Sequence, residues 1–182
     1  MKTIVVTGGT GALGSVVVPR LEREYRCVLF RRGDDADAVA RSAAPVYALV
    51  NLAGAFALGS DKDTWASMVE SNLIAFATAA RAVIPQMERG GRIVAISSMA
   101  SLTKPAGLAA YAASKIALNA TIEVLAKELK DRAITANALL PDTLKSADAP
   151  KGVPMEKIAE LIAFLLSDAA ANVTGSLIPM SS

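Results

Sequence analysis

In the stretch "AAYAASKIAL", residues 109–118, Tyr111 and Lys115 stand four positions apart among alanines. On a helix this spacing sets the two side chains one above the other on a single face. A free phenol titrates at about pH 10 and gives up its proton poorly at neutral pH, whereas a cation one turn away stabilises the phenolate and lowers that value. Just upstream, "AISSMAS" carries Ser97 and Ser98, hydroxyls able to meet a substrate oxygen. The chain has no histidine and one cysteine, Cys27. Histidine triads, histidine zinc sites and thiolate metal clusters are thereby excluded, and proton transfer falls to Tyr, Lys, Asp, Glu or a bound cofactor.

A second chemical feature lies near the start of the chain. "VVTGGTGALG" sets Gly8, Gly9, Gly11 and Gly14 between an apolar run and an amphipathic one. Such glycines allow a tight turn and then a close approach of backbone to a pyrophosphate at a helix N-terminus. No phosphate-loop lysine follows, so the pattern points to a dinucleotide. Which dinucleotide is decided after the next apolar run, "CVLF", where the chain continues "RRGDD". An acid at that place would bind both ribose hydroxyls of NAD, while an arginine suits the extra phosphate of NADP. Arg31, with Arg32 beside it, therefore favours NADPH over NADH. Asp34 and Asp35 are expected to cap the helix that follows.

These groups need a scaffold. Strands are expected at 2–7, 27–30, 46–53, 92–97, 134–140 and 175–180, and helices at about 12–24, 34–44, 62–87, 108–130 and 154–167. The strands are nearly continuously apolar and alternate with helices, which argues a parallel sheet covered on both faces. The expected fold is α/β, a doubly wound Rossmann sheet of about six strands, with its site beyond the carboxyl ends of the strands. At 182 residues the chain reads as one domain, 1–182. A net charge of +2 gives no reason to expect nucleic acid. The apolar run Leu161 to Leu166 is far too short to span a membrane. The single cysteine and the absence of a signal-peptide pattern point to the cytoplasm.

Taken together, these motifs resemble those of the short-chain dehydrogenase/reductase family along nearly the whole chain. "TGGTGALG" is similar to its nucleotide turn, "NLAG" (51–54) to its Asn-Asn-Ala-Gly strand end, and "SNL" (71–73) to its middle-helix asparagine segment. "ISS" followed by "YAASK" resembles its Ser and Tyr-x-x-x-Lys site, and the gap of 13 to Tyr111 selects Ser98 over Ser97. "ITANALLPD" and "VTGSLIPM" are similar to its last two strands, and "GALGS", "LLPDTLKS" and "GSLIPM" most resemble its dihydropteridine-reductase-like branch. The resemblance implies an oxidoreductase acting on a small-molecule carbonyl or quinonoid substrate. Tyr111 would be the proton donor, and Ser98 would orient the substrate oxygen. Lys115 would bind the nicotinamide ribose and lower the tyrosine pKa, and Asn72 would bend the middle helix and hold a water behind Lys115. Gly8, Thr10, Gly11, Ala12, Leu13 and Gly14 would hold the cofactor phosphates. Asn51, Ala53, Gly54, Pro141 and Thr143 would line the rest of the cofactor.

The chain also departs from that pattern. Only fifteen residues separate Phe30 from Val46, enough for a helix of about 16 Å but not for a further strand. The expected sheet therefore lacks the family's third strand and its preceding helix, leaves "CVLF" at the edge, and loses the aspartate that touches adenine. Ala12 replaces a turn glycine, Asp142 replaces the glycine after Pro141, and the segment Thr143 to Val153 is short for a lid. An open, permissive pocket is expected. The apolar surface of 62–87, together with 108–130, resembles the family's dimer-forming pair and implies a homodimer or homotetramer. Two other readings stay open: a trimmed or reconstructed Rossmann module that binds nucleotide with little turnover, and an epimerase or isomerase working by transient hydride transfer.

Overall fold

A computed structural model describes residues 1–181 of the chain. Six parallel strands form one sheet: β1 (Thr3–Thr7), β2 (Arg26–Phe30), β3 (Val46–Asn51), β4 (Met87–Ile96), β5 (Thr135–Pro141) and β6 (Leu177–Met180), in the order β2-β1-β3-β4-β5-β6. β1 lies between β2 and β3, one strand in from the edge, so the order reverses beside the glycine turn. This is the switch point at which doubly wound sheets hold ligands.

Side chains alternate across the strands and feed two separate cores. One packs Val5, Leu49, Ile93 and Leu140 against α2 (Ala36–Ala43), α4 (Ala75–Val83) and α6 (Ala109–Glu128). The other packs Ile4, Val6, Val50 and Leu139 against α1 (Gly14–Leu21) and α7 (Met155–Leu166). The short sheet confirms the expected omission, and it also identifies the helix that survives. α2 packs on α4, on the face opposite α1, so it crosses back over β1 as the connection into β3 requires. β2 is left with one neighbour and its residues are only half buried.

Several boundaries move for local reasons. α1 starts at Gly14 rather than Ala12, because the glycine turn runs through Leu13. Asp35 caps α2 by accepting from the Asp37 and Ala38 amides, but Asp34 accepts from the Arg31 N–H at 2.8 Å and caps nothing. The expected helix 62–87 is not continuous. It comprises α3 (Lys62–Val69), a π-helical turn at Glu70–Ile74, α4 and a 3-10 turn at Ile84–Gln86. β4 begins at Met87, five residues early, and its pairing with β3 shifts register before Arg92. A four-residue helix, α5 (Ala100–Thr103), follows β4. The segment after Thr143 folds onto itself, with Val153 N–H donating to Thr143 O at 2.7 Å and Lys145 N–H to Val153 O at 2.9 Å. No described helix is long and apolar enough to cross a membrane.

Of the apolar residues on the middle helix, Met68, Phe76, Ala80 and Val83 belong to the core, while Trp65 and Ile74 remain exposed. Phe76, 1% exposed between the sheet and α6, is the largest fully buried side chain. Phe76→Ala is expected to cost about 3–5 kcal/mol, measured as a fall in unfolding free energy in urea. A loss below about 1 kcal/mol would mean the site collapses around the missing ring.

Candidate active site

The carboxyl ends of the strands open into one cleft of about 1500 Å³, larger than the roughly 300–1,000 Å³ of ordinary small-molecule pockets. One end of the cleft is the glycine turn. Gly8 has φ +67°, and a Cβ there would stand 2.5 Å from the Ala53 backbone nitrogen; at Gly14 it would meet the Gly9 carbonyl carbon at 2.4 Å. Both must be glycine for the turn to close. Gly11 differs, since a Cβ there would have only Gly8 O near it, at 3.4 Å, so its bare backbone borders open cleft. α1 begins without a side-chain cap and without an acid in its first turn. Its Ser15, Val16 and Val17 amides already donate to Gly11 O and Leu13 O, so an anion here would meet the backbone of the turn itself. A pyrophosphate fits this turn.

Of the turn residues, Gly8, Thr10, Gly11, Ala12 and Leu13 line the cleft; Gly14 lies beneath it against Gly9. Arg31 and Arg32 line the end beyond β2 and are exposed, together with Asp34. Ala53, Gly54, Pro141 and Thr143 also border it. Asn51 does not. It is 1% exposed, accepts from Thr7 Oγ1 at 2.7 Å and donates to Ala53 O at 3.3 Å. These bonds make it a buried brace that fixes the end of β3 against β1.

At the other end of the cleft the sheet brings Ser98, Tyr111 and Lys115 to one wall. Ser98 Oγ accepts from the Ala100 N–H at 3.1 Å, which leaves the hydroxyl proton for an oxygen in the cleft. Behind it, Asn119 Nδ2 donates to Ser101 Oγ at 2.8 Å, and Ser101 Oγ donates to the Ser98 carbonyl at 2.7 Å. Ser97 lines the cleft as well, but its hydroxyl turns back to the Lys115 carbonyl at 3.5 Å. Lys115 is 4% exposed, and its Nζ donates to Ile96 O at 3.0 Å. Burial lowers its pKa from 10.5 to about 8.

Lys115 also neighbours Tyr111. The ammonium stands 5.9 Å from the phenol ring centroid, and burial raises the Tyr111 pKa, with only the Ser98 hydroxyl pulling it down. Within the protein alone, Tyr111 is held as a protonated phenol. Asn72 does not line the cleft either. It is fully buried in the π-helical turn, where Oδ1 accepts from the Ala55 N–H at 3.0 Å, and Nδ2 donates to Ala55 O at 3.0 Å and to Ser114 Oγ at 3.1 Å. A Cβ on Gly54 would come within 2.8 Å of Asn72 Oδ1 and 3.1 Å of Lys115 Nζ. Asn72 thus positions the Gly54 backbone and the Tyr111 helix.

Sequence reasoning missed Phe56, Pro105 and Leu108, which line the cleft near Tyr111, and Ser71 and Thr78, which line it from the middle helix. Phe56 had one signal, a lone large apolar residue inside the glycine- and alanine-rich loop "LAGAFALGS". Among the described residues there is no cluster of three or more side chains able to hold a metal.

Residues 36–156 match the family model described as short chain dehydrogenase. The 3-oxoacyl-[acyl-carrier-protein] reductase FabG of Pseudomonas aeruginosa is 35% identical over 138 residues, 65% of this chain and 56% of that protein. The chain thus spans little more than half the length of such curated relatives. A short chain dehydrogenase family protein from Francisella tularensis superposes with a TM-score of 0.89 at 21% identity, over 99% of this chain and 97% of that one. A blue fluorescent protein from a metagenomic library, solved in complex with NADPH, superposes with a TM-score of 0.85 at 26% identity, over 99% and 96% of the two chains.

The buried lysine gives a pH prediction. Its pKa in the folded chain lies below the unfolded value, so between about pH 8 and 10.5 the unfolded chain binds the extra proton. The cost of burying the charge is therefore fully present below pH 8 and is relieved as pH rises through that window. Lys115→Met removes the cost. The stability advantage of the variant over the wild type is expected to be greatest near pH 7 and to shrink by roughly 3 kcal/mol above pH 10.5, read from urea titrations of both proteins. A difference independent of pH would show that the ammonium is solvated.

Proposed function

Because the chain belongs to the short-chain dehydrogenase family, we propose that it reduces a small carbonyl compound with a nicotinamide dinucleotide, NADPH in preference to NADH. The bound cofactor supplies the hydride to the carbonyl carbon. Tyr111 gives its proton to the carbonyl oxygen, so one hydride and one proton convert C=O to an alcohol. Ser98 donates to the same oxygen and stabilises the charge that develops there. Lys115, one turn from Tyr111, holds the nicotinamide ribose and takes part in returning a proton to the phenolate. Burial keeps Tyr111 protonated, which suits an acid in the reducing direction.

The observation that carries this reading is that Ser98, Tyr111 and Lys115 line the same cleft as the glycine turn. Arg31 and Arg32 beside the ribose end support NADPH. The Ile116 and Val124 side chains exposed on α6, with Trp65 and Ile74 on the middle helix, support a homodimer or homotetramer through the 62–87 and 108–130 segments. A second reading, nucleotide binding with little turnover, draws on the absent helix–strand unit, which removes the adenine-side aspartate.

NADPH oxidation with a panel of ketones, quinones and dihydropterins separates the two. The last group tests the dihydropteridine-reductase-like branch suggested by the terminal motifs. The wild type is expected to turn over at least one class, and Tyr111→Phe to lose about a hundredfold or more in kcat. Equal rates in the two proteins would remove Tyr111 from the chemistry. Arg31→Asp is expected to weaken NADPH about tenfold relative to NADH, read by cofactor titration; an unchanged ratio would count against the phosphate assignment.

A further inference from the structure

The wall of the cleft beside Tyr111 has a chemistry of its own. Phe56 packs edge-on against the Tyr111 ring, centroids 5.0 Å apart and planes at 79°, yet remains 61% exposed. It also lines the cleft. A large apolar side chain left open at that place gains by being covered, and the two rings form a corner with the reacting phenol as one side. A carbonyl held by Tyr111 and Ser98 would have Phe56 among its neighbours, since that ring packs on Tyr111.

Pro105 and Leu108 add a second apolar bank to the cleft lining. The two banks are tied together, since Gly59 N–H donates to Gly107 O at 3.2 Å. Among the described residues that line the cleft from 52–56 and 96–108, none is charged. Lys104, beside Pro105, is exposed but outside that lining; the lining itself offers a flat apolar group two surfaces to lie against.

We infer that the substrate is a carbonyl compound with an aromatic ring next to the reacting carbon, an aryl ketone or aldehyde, and that Phe56 selects it by aromatic contact. The inference rests on the reductase reading and names its substrate class. Rings in such contact sit about 4.5–7 Å apart, offset or edge to face.

The test compares 1-phenyl-1,2-propanedione with 2,3-butanedione, which differ by phenyl against methyl on the same dicarbonyl, as NADPH-dependent substrates. The wild type is expected to favour the phenyl compound at least tenfold in kcat/KM. Phe56→Ala should cut that ratio about tenfold, Phe56→Trp should largely restore it, and Leu58→Ala, also exposed but outside the cleft lining, should leave it unchanged. No preference in the wild type, or a ratio untouched by Phe56→Ala, would overturn the inference. If neither compound is reduced, saturation-transfer NMR of the phenyl protons with NADP present still decides the contact. Transfer that is lost in Phe56→Ala supports the aromatic wall while the reductase reading fails, and absence of transfer in the wild type overturns the wall itself.

Discussion

One side chain holds three parts of this molecule in register. Asn72 accepts from the Ala55 amide, donates to the Ala55 carbonyl and donates to the Ser114 hydroxyl, so it joins the loop after β3, the middle helix and the helix bearing Tyr111. Burying an amide is favourable only when its donors and acceptor are satisfied, and here each has a backbone or hydroxyl partner. The π-helical turn is the backbone's accommodation. One extra residue in the turn lets Asn72 reach sideways where an uninterrupted α-helix would carry it past. Gly54 and Lys115 then sit against it, leaving no room for a side chain on Gly54.

The economy of the sheet follows a similar logic. A parallel strand can be dropped from an edge only if the remaining crossover reaches the next strand on the correct face. α2 does so by lying on α4 with Ala36, Ala40 and Ala43 buried. Its small side chains let an eight-residue helix sit close enough to the sheet to close the connection. The side of the sheet that carries Ser98, Tyr111 and Lys115, from β3 to β6, is unaffected, because each of those strands keeps its neighbours.

Much of this was legible before any coordinates. The glycines of the turn, the Tyr111–Lys115 spacing, Ser98 and the shortened region after Phe30 declare themselves through spacing and composition, because tight turns and helical repeats leave marks along the chain. Direction does not. Asn51 and Asn72 occupy recognisable positions, yet both turn inward to brace the backbone, and nothing in their neighbours' identities says so. The break in the middle helix falls at Asn72, where the resemblance implied a bend, and its π-helical form is held by tertiary hydrogen bonds. Phe56 was passed over because a loop residue has no periodicity to betray its facing.

β2 carries a consequence for the protein in concentrated solution. With a neighbour on one side only, half of its backbone donors and acceptors are left to water, an invitation for another molecule to extend the ladder. The strand is five residues long and bounded by Arg26 at its start and by Arg31 and Arg32 just past its end. Two such edges meeting would bring like charges together at both ends of a short pairing. Repulsion of this kind keeps an exposed edge from recruiting copies of itself, and it weakens as salt screens the arginines.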